Sequence, residues 1–208
     1  MTKNITNISP QETAILRLYC NDYTKELHGR EIARQLHANH RTILLALQKL
    51  EEKNIFSTKQ MGKNKLFKLN IQNILTREYL TSVEILKTVS VLEKHFFLKK
   101  FLYELTPIIN TKPLILFGSY AKGIEHKESD LDLVLCDQNK DKSIEQKIKD
   151  FGKQYRIKIQ LQKATRKDLE KGLREKDPLI QEIVKDHIIL NNYQYLIGIL
   201  WNYAHERS

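Results

Sequence analysis

The sequence predicts a mixed α/β (α+β) chain with a basic, helix-rich N-terminal module, a helical linker and a C-terminal module built on a mixed sheet. Three observations lead there. Of 208 residues 41% are hydrophobic, with 7 Gly and 4 Pro, which is enough apolar matter for a core and too few breakers for a disordered chain. Apolar residues recur at spacings of three and four as far as about residue 105, then in short continuous or alternating runs. The charge is uneven: Lys and Arg number 35 against 25 Asp and Glu, a net of +10, and residues 1–75 hold 12 of the bases and 6 of the acids. More than half of the excess therefore sits in the first third, which points to a polyanion as that part's partner.

Several classes are excluded at once. No apolar run approaches the ~18 residues of a membrane span, so no membrane role is expected. Met1 to Asn7 has no apolar segment of the kind that starts a signal peptide. Cys20 and Cys136 stand far apart and alone, which fits a reducing compartment and rules out a Cys-rich zinc site. A cytoplasmic protein is expected.

Element by element, Ser9-Pro10 opens a helix with Ser as the cap and Pro at the first helical position, and the run to Cys20 carries Ile15, Leu16 and Tyr19. Gly29 precedes a short helix with Ile32, Ala33 and Leu36 on one face. After the break His37-Ala38-Asn39-His40, a longer helix over Arg41 to Lys53 places Ile43, Leu47 and Leu50 together, and Asn54 suits a left-handed stop. His37 and His40 lack a third ligand nearby, so they read as a polar turn and not as a metal site. Ile55-Phe56-Ser57-Thr58 and Leu66-Phe67-Lys68-Leu69 read as two strands around the turn Met61-Gly62-Lys63-Asn64.

Over residues 9–70 this order resembles the winged helix-turn-helix domain. The resemblance implies duplex DNA as partner, with the third helix in the major groove and the basic hairpin on neighbouring phosphates. Arg41, Gln48 and Lys49 are then the outward positions of that helix, and Lys63 and Lys65, with Lys59 and Lys68, furnish the hairpin. Leu44 and Leu45 are foreign to a base-reading face, so phosphate contacts are expected to dominate.

Residues 71–105 read as helix in two pieces, apolar on more than one face from Leu80 to Leu105. Such a surface must be covered, by the neighbouring modules or by a second copy of the chain in a homodimer. Pro107 and Pro113 are expected to mark the start of a new region. The expected division is 1–75, 76–105 and 106–208.

In the last region Leu114-Ile115-Leu116-Phe117 is a buried-type strand that runs into Gly118-Ser119-Tyr120-Ala121-Lys122-Gly123. Ten residues separate Ser119 from Asp130, and Asp130-Leu131-Asp132 opens a second strand. Period two sets Asp130 and Asp132 on one face, a pair of hard oxygen ligands suited to Mg²⁺ with a nucleoside triphosphate. The Gly-Ser turn offers backbone N–H groups and a hydroxyl to phosphate, and Lys122 adds charge.

This pattern resembles the minimal nucleotidyltransferases of the DNA polymerase β superfamily, over about residues 106–195. Ser129, Ala121-Lys122-Gly123 and the tail from Asp177 to Leu190 add to the likeness. The resemblance implies in-line transfer of a nucleoside monophosphate, with two metals clamping the attacking and departing oxygens. Asp130 and Asp132 become the catalytic metal ligands, while Gly118, Ser119, Lys122 and Ser129 become the nucleotide-binding set, with ATP and Mg²⁺ as ligands. Active relatives usually add a third acid from a later strand. Here that strand, Tyr155 to Gln162, offers Lys158, Gln160 and Gln162 on the relevant face, and Gln160 falls at the position of the missing acid.

Two functions follow. One is a DNA-binding protein whose nucleotidyltransferase-like domain binds Mg-NTP and transfers a nucleoside monophosphate to a hydroxyl. The other is a transcriptional regulator, or an antitoxin-like protein working beside a HEPN-type ribonuclease, whose transfer is weak or absent for want of the third acid.

Overall fold

The structure, a computed structural model, describes residues 8–62, 64–137 and 142–207. They form two compact units. One runs up to Val83 and resumes at Leu200; the other spans Glu84–Ile199.

The first unit begins with helix α1 (Pro10–Arg17), closed at its start by a capping box in which Ser9 Oγ accepts from Glu12 N and Glu12 Oε2 accepts from Ser9 N at 2.7 Å. Strand β1 (Glu26–His28) leads directly into α2 (Gly29–Gln35), and α3 (His40–Glu52) follows a turn in which His37 has φ +48. Asn39 caps α3 by accepting from Arg41 N at 2.9 Å, and Asn54 ends the segment at φ +58, the left-handed stop expected of it. Strands β2 (Phe56–Met61) and β3 (Asn64–Leu69) complete an antiparallel sheet of order β1-β3-β2. Ile15, Leu16, Ile32, Ile43, Leu47 and Leu50 are buried beneath it, and Tyr19 donates its hydroxyl to Phe67 O at 2.9 Å. β1 is absent from the sequence reading, because three residues are too few for alternation to show.

Helix α4 (Ile74–Lys94) carries the boundary between the units. Helix α5 (Phe96–Ile109) includes Pro107, so the break expected there does not occur. The proline costs only one hydrogen bond in the last turn, to the carbonyl of Tyr103, a residue that is 81% exposed and open to water.

The second unit is built on strands β4 (Leu114–Phe117), β5 (Leu131–Cys136), β6 (Ile159–Ala164) and β7 (Ile188–Asn191), in the order β6-β5-β4-β7. β5 and β6 are parallel and the other pairs antiparallel, so the sheet is mixed as expected. The parallel pair needs a crossover, which α7 (Ser143–Tyr155) supplies. The short α6 (Gly118–Lys122) joins β4 to β5, and α8 (Arg166–Glu175), α9 (Pro178–Lys185) and α10 (Tyr193–Arg207) complete the chain. One core holds Leu98, Phe101 and Leu105 of α5, Leu114 and Leu116 of β4, Leu131 and Leu133 of β5, and Ile148 and Phe151 of α7. Leu86 and Val89 on α4 remain 45% and 43% exposed.

A cluster of charged groups is buried inside this unit. Glu84, fully buried, takes Lys87 Nζ at 2.8 Å and His187 Nε2 at 3.0 Å, while His187 Nδ1 lies 2.7 Å from Val184 O. Burial alone would push the Glu84 carboxyl up, but the charges of His187 and Lys87 outweigh it and bring it down to about 2. No helix among the described residues is long and apolar enough to cross a membrane.

Candidate active site

The site grows out of three neighbouring strand ends. Asp132, the second residue of β5, lies opposite Phe117 on β4 and opposite Gln160 on β6. Since Gly118 follows Phe117, the Gly-Ser turn is set directly against the Asp132 carboxylate. Gly118 has φ +71, and a Cβ added there would collide with Asp132 Oδ2. Two separate demands, the left-handed backbone and the close approach, thus fix glycine at this position.

The two aspartates have opposite surroundings. Asp130 Oδ2 accepts from Lys158 Nζ at 2.7 Å and from Gln160 Nε2 at 2.5 Å. The Lys158 contact, then the Gln160 bond, hold its carboxyl below the usual range. Asp132 accepts no hydrogen bond from the described residues. Burial raises its carboxyl first, and the negative charges of Asp130 and Glu182 add to this, against a smaller opposing effect of Lys122 and Lys158.

The remaining expected residues are distributed as follows. Ser119 is half-buried, next to Gly118 on α6. Lys122 is exposed and pairs with Glu182 Oε1 of α9 at 2.8 Å. Ser129 Oγ accepts from His126 N at 2.9 Å, so its hydroxyl shapes the turn that delivers Asp130. Two residues that were not assigned a role in the sequence are present: Glu182 and Lys158. Lys158 shares the alternation of Gln160 and was legible as a neighbour. Glu182 reaches Lys122 only because Asp177 caps α9, accepting from Ile180 N at 3.0 Å, and because Gly172 lets Ile180 pack against α8. Further along the same ladder, a cavity of about 310 Å³ is lined by Val134, Gln162, Gly172, Leu179 and Ile183.

Residues 97–194 match the family described as polymerase beta, nucleotidyltransferase. Over that span the chain is similar to polymerase β-like nucleotidyltransferases. No curated protein matches the chain. A solved structure titled "Crystal structure of the toxin-antitoxin with AMP-PNP" is 18% identical, with a TM-score of 0.37, covering 52% of this chain and 84% of that one.

The donor set of the nucleotidyltransferase domain fits one hard divalent cation. Asp132 is unpaired and Asp130 keeps Oδ1 free of hydrogen bonds, so two carboxylate oxygens are at hand. Among the described residues no group of three His, Cys, Asp or Glu side chains gathers as a metal site. Cys136, whose thiol burial pushes up to about 12, is a core residue and no nucleophile.

In the first unit, Arg41, Gln48 and Lys49 are exposed on α3, as are Leu44 and Leu45 at 40% and 55%. Leu44 is partly accounted for: it lies over Gly29, where a Cβ would stand 2.9 Å from Leu44 Cδ2. Lys65 pairs with Glu51 of α3 at 3.0 Å, which offsets part of its charge. Lys63 lies outside the described residues.

Proposed function

We propose that the chain binds Mg²⁺ with a nucleoside triphosphate, ATP by preference, in the nucleotidyltransferase domain and binds duplex DNA through the N-terminal unit, with nucleotidyl transfer slow or absent. The observation that carries the nucleotide reading is the seating of the Gly118-Ser119 turn against an unpaired Asp132 within a domain of the matching family. Asp132 and Asp130 would hold the cation, whose chemistry is to neutralise phosphate charge and polarise the reacting phosphorus. The turn at Gly118 and Ser119 lets phosphate oxygens approach the backbone closely, and Lys122, held by Glu182, adds positive charge at its edge. The neighbouring cavity offers room for the nucleoside or an acceptor. Gln160 explains the slow transfer: a neutral amide neither ligates Mg²⁺ as a carboxylate does nor takes up the proton of an attacking hydroxyl.

The DNA reading is supported by three helices and a three-stranded sheet in winged-helix order, with Arg41 and Lys49 on the outward face of α3. Calorimetric titration of Mg-ATP tests the nucleotide half. The double substitution Asp130→Asn and Asp132→Asn removes both charges and is expected to weaken affinity more than tenfold, about 1.4 kcal/mol or more. Equal affinity in both proteins, or no triphosphate binding by the unaltered chain, would overturn it.

A further inference from the structure

We propose that Lys158 occupies the role of a second cation, so that the site takes one divalent metal with its nucleotide instead of two. This rests on the nucleotide reading above. A two-metal clamp needs anionic ligands on both sides of the reacting phosphate. On the β6 side of Asp132 the register places Gln160, an amide. The oxygen of Asp130 that faces β6 is already engaged twice, by the Lys158 ammonium at 2.7 Å and the Gln160 amide at 2.5 Å. Because an ionised carboxylate only accepts, Gln160 must turn its NH₂ group toward it, which makes the side chain a donor where a metal ligand would have to be an acceptor.

The charges agree. Asp130, Asp132 and Glu182 bring three negative charges to this corner, and Lys122 and Lys158 bring two positive ones. Lys158 already neutralises the β6-facing oxygen of Asp130, which leaves Asp132, with no donor of its own, as the ligand for one divalent ion. Lys158 is also placed to act on a ligand. Its side chain is 75% exposed, and an ammonium with one donor on Asp130 keeps two more for a phosphate or acceptor oxygen. Glu182 does not restore the missing acid, since its carboxylate is committed to Lys122.

The test counts Mn²⁺ by electron paramagnetic resonance in the presence of a non-hydrolysable ATP analogue, with analogue affinity measured separately at saturating Mn²⁺. The unaltered chain is expected to bind one Mn²⁺ per analogue. Lys158→Met should weaken analogue binding about tenfold, and Lys158→Arg, which keeps the charge, should retain most of it. Lys158→Met combined with Gln160→Asp should admit a second Mn²⁺. All three side-chain changes lie at exposed positions on the edge of the sheet, and unchanged melting temperatures verify the fold. Two Mn²⁺ in the unaltered chain, or analogue binding by Lys158→Met as tight as before or tighter, would overturn the inference while leaving nucleotide binding intact. Failure of the unaltered chain to bind the analogue would instead overturn the reading beneath it.

Discussion

Glu84→Gln is the substitution with the largest expected effect on stability. Glu84 is fully buried in the second unit, with its carboxylate shared between Lys87 at 2.8 Å and His187 at 3.0 Å. Both ring nitrogens of His187 face acceptors, Val184 O and the Glu84 carboxylate, and Glu84 is the anion that Lys87 and His187 share. Glutamine keeps the shape and removes the anion, leaving the Lys87 ammonium buried without its counter-charge, a change that costs about 3–5 kcal/mol in comparable settings. The carboxyl's shift gives an independent figure. Its folded value of about 2 lies below the ordinary 4.5, so the group contributes about 3 kcal/mol at neutral pH. The sign follows from the depression: the contribution is complete above 4.5 and is lost as pH falls through that value toward 2. Urea unfolding followed by circular dichroism should therefore show Glu84→Gln about 3 kcal/mol less stable at pH 7, with the gap closing to roughly 1 kcal/mol near pH 3. A variant within about 0.5 kcal/mol of the unaltered chain at pH 7, or a gap that does not narrow on acidification, would refute the account of this trio as a stabilising ion cluster.

Gly118→Ala should lower stability by about 2 kcal/mol or more, from the left-handed backbone and the collision with Asp132 together, and the loss should shrink in an Asp132→Ala background, as a double-mutant cycle of melting curves will show. Arg41→Ala and Lys49→Ala should each reduce the salt slope of duplex DNA binding by about 1 with little dependence on sequence, measured by fluorescence anisotropy over a range of salt. Salt-insensitive binding, or none, would favour a protein-interaction role for the first unit.

Much of this arrangement is legible in the sequence because it depends on short periods. Alternation alone puts Lys158 and Gln160 on one face of a strand, and the spacing from Gly118-Ser119 to Asp130 and Asp132 brings that strand's neighbours into view. The observed register, Asp132 beside Gln160, lies in neither; the resemblance to the nucleotidyltransferases sets Gln160 at the missing acid's position. What local pattern does not contain is contact between distant segments. Glu182 meets Lys122 across sixty residues through the packing of α8 on α9 at Gly172. Glu84 and Lys87 look like an ordinary charged turn of helix until His187 arrives from the approach to β7. The apolar run from Leu80 to Leu105 announces a need for cover, yet only the fold shows Leu98, Phe101 and Leu105 joining β4 and β5 in one core. Pro107 misleads for a related reason. A proline stops a helix when the freed carbonyl has no partner, and here the carbonyl belongs to exposed Tyr103.

The opposite surroundings of Asp130 and Asp132 make a single chemical point. The two residues are separated by one leucine and lie on one strand face, so neither sequence distance nor strand geometry distinguishes them. The difference comes from which neighbours carry positive charge. Asp130 receives Lys158 and Gln160 and is held ionised by the chain itself. Asp132 is half-buried, receives no donor, and has two acids as neighbours, so burial and then their charge raise its carboxyl and leave it without a compensating cation. A carboxylate kept in that state, with a glycine cut away to leave room at its side, gains most from a ligand that brings positive charge with it. On the proposed reading Asp132 would anchor the metal, Asp130 would join through its free Oδ1, and the triphosphate would fill the oxygen coordination that two carboxylates leave open.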